Sequence, residues 1–255
     1  MYSRAVHLEC VHSLSTDSFC QAFKRVISLR GPIKLLVCDQ GTNFVGARHF
    51  LTNNGCEVRF NPPSSSHRGG FYERLIGVTR RVLEGILIQH SGHLSEESFL
   101  TLLAEAAWVV NCRPLSVETI NDPTSFEPLT PNTLLTQKSY STGENQDIPA
   151  EDQYARVQWK RINYLAQLFA SRWQGEVMHL LQERQRWERP RCNIRKDDIV
   201  LLVDEQRHRS HWRLARVIDV IMGSDGLARS ATIMVADRST YDRPIQKLVH
   251  LLSPT

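Results

Sequence analysis

Two carboxylates stand where chemistry could be done. Asp39 closes the apolar run IKLLVC in CDQGTNF, and Glu73 sits near the start of an amphipathic stretch in GGFYERLIG. An acid at the C-terminal end of a strand points into the crevice where α/β proteins bind ligands, and a Glu in a helix's first turn can face the same crevice. Oxygen donors of this kind suit Mg²⁺, which takes one or two protein carboxylates together with phosphate oxygens and water. Two such ions about 3.5–4 Å apart clamp the attacking and leaving oxygens of an in-line phosphoryl displacement. Both acids also have ordinary roles. Asp near Gly is a common turn residue, and Glu in a first helical turn is favoured by the helix dipole without any metal.

The elements that would position them follow from the residue pattern. SRAVHLECV alternates and carries β-branched residues, so it reads as a strand. STDSFCQAFKRVISLRG reads as a helix capped by Ser15 or Thr16 and stopped by Gly31, with Phe19, Phe23, Val26 and Ile27 on one face. IKLLVCD suits a buried strand. GTNFVGARHFLTNNG is a turn and short helix, and CEVRF is another strand before the loop NPPSSSHRGG. Helical spacing then places Leu75, Val78, Val82 and Ile86 on one face. A second helix opens at Ser95, with Ser98 in its first turn, and closes before Pro114. Residues 114–150, rich in Pro, Thr, Ser, Asn and Asp, read as linker or extended loop. Residues 152–186 return to helix, ended by Pro190, and the tail holds four strand-like runs, DDIVLLVD, HWRLARVIDVI, ARSATIMVAD and STYDRPIQKLVHL.

The chain has 255 residues, of which 41% are apolar and 23% charged. That balance supports a packed core and excludes wholesale disorder. No run approaches the roughly 20 apolar residues of a membrane span, so no membrane partner is expected. Arg4, His7 and Glu9 break any apolar opening, so no secretory leader is expected. Six cysteines (Cys10, Cys20, Cys38, Cys56, Cys112, Cys192) lie scattered with no CxxC pair, which suits neither a zinc knuckle nor a disulfide framework. They are expected to be mostly buried thiols.

Charge is unevenly placed. Residues 1–130 balance 12 bases against 12 acids, whereas residues 154–196 hold 10 bases and 3 acids. The densest part, RQRWERPRCNIRK, sets Trp187 among Arg184, Arg186, Arg189 and Arg191. Clustered arginines beside an aromatic can neutralise phosphates and stack on bases. A solvated helix face followed by a linker has the same composition. In the tail, Trp212, Arg213, Arg216 and Arg229 are surface candidates, although Trp212 shares its strand parity with Leu214 and suits a core equally.

With these residues on the page, the order of motifs closely resembles the integrase core of BEL/Pao-type retrotransposons. The resemblance rests on SRAVHLE, STDSF-x-x-AF-x-R, D-x-GTNFVGA and FNPPSS-x-HRGG-F-x-E-R-x-IG, continued by NCRPL and EPLTPN-x-LL. The tail motifs LQERQ-x-W-x-x-PR-x-N, GSDGL-x-R and YDRPIQKLV look like the domain that follows the core in those polyproteins, so the likeness spans nearly the whole chain.

The resemblance implies an RNase-H-like, three-layer α/β core over 1–130, incomplete at its N-terminus. A linker and basic helix over 131–190 would follow, then a small all-β, barrel-like module over 191–255. It implies a polynucleotidyl transferase that uses Mg²⁺ or Mn²⁺ held by two Asp and one Glu, with DNA and a homo-oligomer as partners. By motif match Asp39 is the second Asp and Glu73 the Glu, both catalytic and metal-binding. Asn43 and the loop containing His67, Arg68, Gly69 and Gly70 would lie near DNA, although His67 could equally be a structural loop residue. Arg80 and Arg81 could reach phosphate, or could simply be solvated. The family's first Asp lies on a strand upstream of SRAVHLE. The expectations are therefore weakened ion binding, an exposed apolar strand edge and impaired catalysis. The alternative is a non-catalytic nucleic-acid-binding or interaction module descended from a retroelement. Work on DNA implies the nucleus, with the cytoplasm otherwise, and the stretch 184–196 as a basic localisation candidate.

Overall fold

A computed structural model describes residues 3–61, 70–90, 94–117, 128–138, 157–181, 193–203, 212–224 and 226–253. It is a mixed helix-and-sheet structure containing one five-stranded antiparallel sheet. The chain forms two compact units, one from His7–Arg74 and one from Met1–Val6 with Leu75–Thr255.

In the first unit, α1 (Thr16–Arg30) starts at Ser15, whose hydroxyl accepts a hydrogen bond from the Ser18 N–H at 3.2 Å. This meets one of the orphan donors of a helix start. Gly31 ends the helix at φ 85°, a conformation that favours glycine, and its N–H closes on the Ile27 carbonyl. The parallel pair β1 (Leu35–Cys38) and β2 (Glu57–Phe60) is linked through α2 (Thr42–Gly46) and α3 (Arg48–Asn53). Phe23, Ala47, Leu51 and Cys56 form the core, with Phe19, Ile27, Leu36, Phe50 and Val58 packed against it. Helices therefore cover the sheet face that carries Leu36 and Val58. On the alternate positions Leu35 and Val37 remain 41% and 39% exposed. The expected buried strand is thus buried on one face only, because alternating side chains of a strand point to opposite sides.

The second unit contains most of α4 (Gly70–Gln89), then α5 (Glu96–Asn111) and α7 (Gln158–Leu181), the last two packed side by side. Leu75, Val78, Val82 and Ile86 of α4 are buried as their spacing predicted. Ser95 caps α5 by accepting from the Ser98 N–H at 3.2 Å. Among the described residues of the supposed linker lie β3 (Ser116–Val117) paired with β4 (Pro128–Leu129), then α6 (Pro131–Thr136). The Thr130–Thr133 capping box and Pro131 at its first position start α6. A loop composition of Pro and Thr had concealed this helix start.

Among the described residues the tail forms five strands rather than four: β5 (Ile199–Leu202), β6 (Leu214–Met222), β7 (Ala228–Val235), β8 (Thr240–Pro244) and β9 (Leu248–Leu252), in sheet order β8-β7-β6-β5-β9. The run STYDRPIQKLVHL divides because Ile245–Lys247 forms a 3₁₀ turn after Pro244. One face assembles Val200, Leu202, Ala215, Val217, Ala231, Ile233, Val235 and Leu248 into a core. Trp212, at 4% exposure, meets Trp173 of α7 edge to face with ring centroids 6.2 Å apart, so Trp212 is core and not a surface contact.

The opening segment corrects a second expectation. Residues 3–11 form no strand. Their alternation is real, but their backbone groups bond to side chains instead of a ladder. The Asn111 amide accepts from the Val6 N–H and donates to the Val6 carbonyl, both at 2.7 Å. Arg113 donates to the Arg4 carbonyl. In the other unit, Arg25 donates to the Cys10 carbonyl at 3.0 Å and pairs with Glu9. Side chains can satisfy a buried backbone as well as a neighbouring strand can. Of the described cysteines, Cys56 and Cys112 are buried, while Cys10, Cys20 and Cys38 are half-buried.

Candidate metal and nucleic-acid site

Asp39 follows the last residue of β1, whose Cys38 carbonyl accepts from the Asn61 N–H at 2.8 Å. The Asp39 side chain is exposed, and its Oδ1 accepts from the Gly41 N–H at 3.0 Å. This is the local turn bond that Asp makes readily, and it also fixes the carboxylate's direction. Gly41 then starts α2. A Cβ there would stand 2.8 Å from Asn43 Oδ1 and 3.1 Å from Asp39 Oδ1. The bare Gly41 Cα therefore lets the side-chain oxygens of Asp39 and Asn43 gather around one point. Two phenylalanines brace this turn from below. Phe44 meets Phe19 of α1 edge to face at 4.9 Å. Gly46 comes so near α1 that a Cβ would meet Thr16 Oγ1 at 2.5 Å. The motifs STDSF and GTNFVGA are thus in direct contact.

Burial raises the pKa of the neighbouring Cys38 thiol, and the charge of Asp39 raises it further. Glu73 lies exposed in the first turn of α4. Among the described residues no three His, Cys, Asp or Glu side chains gather as metal ligands. Asp39, Asn43 and Glu73 are hard oxygen donors of the right chemistry for Mg²⁺ or Mn²⁺. Among the described residues their number does not fit a two-ion site.

The basic candidates divide. Arg80 is exposed on α4. Arg81 pairs with Glu176 of α7 at 3.1 Å, an exposed bridge between two helices. Arg161 and Arg172, part of the basic segment, turn to the end of α4: Arg161 donates to the His90 carbonyl at 3.0 Å and Arg172 to Gln89 Oε1 at 2.7 Å. Cations are favoured at a helix C-terminus, so these two are engaged structurally. Burial lowers the His90 pKa, and both arginines lower it further. Arg213 and Arg229 are exposed, and Arg216 is half-buried. His67, Arg68, Arg184, Arg186, Arg189 and Arg191 lie outside the described residues.

Spacing alone did not reveal the roles of Asn111 and Arg113. Arg113 is 5% exposed and donates to the carbonyls of Val110, at 2.8 Å, and Arg4. Burial and nearby Arg4 pull its pKa down to about 10. The signal was present as NCRPL, two polar residues ending an apolar helix.

Comparison with known proteins gives three findings. A model of a family of unknown function (DUF5641) matches residues 157–251. No curated protein matches the chain. Among solved structures the chain is similar to one from the simian T-cell lymphotropic virus intasome in complex with the PP2A regulatory subunit B56 gamma. The identity is 14% and the TM-score 0.36, over 94% of this chain and 66% of that one. That structural neighbour is a retroviral integrase assembly. The chain spans less than two thirds of its length, and a TM-score this low carries no argument about shared fold or chemistry.

Proposed function

We propose that this chain is an integrase-type polypeptide of the BEL/Pao retrotransposon kind that engages DNA, with Asp39 and Glu73 as two of the acids of a metal-dependent phosphodiester-transfer site. The observation that carries the reading is the turn after β1. An exposed carboxylate at a strand's C-terminal end is held in direction by Gly41, with Asn43 beside it, inside the motif D-x-GTNFVGA. On this reading residues 1–130 belong to a three-layer RNase-H-like core, 131–190 to a linker and basic helix, and 191–255 to a small all-β, barrel-like module. The barrel-like reading draws on the order β8-β7-β6-β5-β9, in which a three-residue 3₁₀ turn carries the chain from one margin of the sheet to the other. His67, Arg68, Arg80, Arg184, Arg186, Arg189 and Arg191 would contact phosphate, and the protein would work as a homo-oligomer in the nucleus.

A second reading, nucleic-acid binding without catalysis, is favoured by one observation: among the described residues no three His, Cys, Asp or Glu side chains gather as metal ligands. One experiment tests both. DNA binding is measured from 50 to 200 mM salt, and strand transfer on short DNA ends is measured with Mn²⁺, for this chain, Asp39→Asn and Glu73→Gln. Binding that weakens steeply with salt is expected for either reading. Transfer abolished by both substitutions supports the enzyme, and binding without transfer supports the module. Salt-insensitive or absent DNA binding overturns both.

A further inference from the structure

No further inference is drawn: the strongest candidate, the open edge of β1 in the first unit, where Leu35 and Val37 stand exposed with a strand neighbour on one side only, is an unpartnered apolar margin, and nothing in the structure shows what covers it.

Discussion

In β1 every second side chain is left half-open to solvent, Leu35 at 41% and Val37 at 39%, whereas all four residues of β5 are buried. The parallel pair has one strand neighbour for each strand and helices on one described face. β5 has antiparallel neighbours on both sides, and Leu201 and Val200 point to opposite faces yet are both fully buried. The candidate chemistry sits on the sparser sheet. Asp39 leaves the end of β1 and remains exposed, while the buried core of the five-stranded sheet is assembled from apolar side chains. A carboxylate that must meet a charged polymer needs an open approach, and a fully enclosed strand end does not provide one.

The largest test of this contrast is at the α7 end of the buried core. Trp173 is fully buried, stacks on Phe169 at 6.5 Å and donates from Nε1 to Thr79 Oγ1 at 3.1 Å. Trp173→Ala should cost about 3–5 kcal/mol in urea unfolding; a loss under about 1 kcal/mol breaks the contrast.

Thiols sharpen it next. Burial pushes Cys112 up to about 11, opposed by a bond from Asn132 and aided by the charge of Glu105. Its folded pKa is raised above the ordinary thiol value, so its stabilising contribution is complete below about 9 and lost as pH rises through about 11. The difference amounts to something on the order of 3 kcal/mol. Urea titrations of the protein and of Cys112→Ala from pH 8 to 11 should diverge accordingly, and parallel curves defeat the prediction.

In the first unit, Gly46→Ala should cost about 1–3 kcal/mol, because the new Cβ meets Thr16. Adding Thr16→Ala should recover most of that, since the clashing Oγ1 and Cγ2 are gone; no recovery in the double variant refutes this contact. The smallest effect belongs to Val37→Thr, within about 0.5 kcal/mol for an exposed strand position. A larger loss in thermal unfolding means that Val37 is covered after all, and the contrast between the two sheets fails.

What could be read from sequence was local. Ser15, Gly31 and Ser95 act within three or four residues of themselves, and all three serve as expected. The four apolar positions of α4 followed from their spacing. Period-2 alternation in SRAVHLECV marked extended chain but could not reveal whether a strand or the side chains of Asn111, Arg113 and Arg25 would meet its backbone. Pattern likewise marked β1 as apolar without saying what covers its second face. At the site, the turn Asp39–Gly41–Asn43 was legible because its parts are adjacent. The use of Arg81 was not, because Glu176 is 95 positions away. The charge of residues 154–196 pointed to an anionic polymer, yet Arg161 and Arg172 are spent on the end of α4.

The amide of Asn111 clasps Val6 from 105 positions away along the chain. Bringing such distant points together costs entropy that grows with the length between them, whereas the capped helices and the short β1–β2 crossover close small loops. The clasp therefore belongs among the last contacts made and the first released. Contacts absent from the folding transition state leave the folding rate nearly untouched and slow escape from the native state. Asn111 is in this sense a timekeeper: it sets how long the opening residues stay attached once the protein has formed, not how quickly it forms.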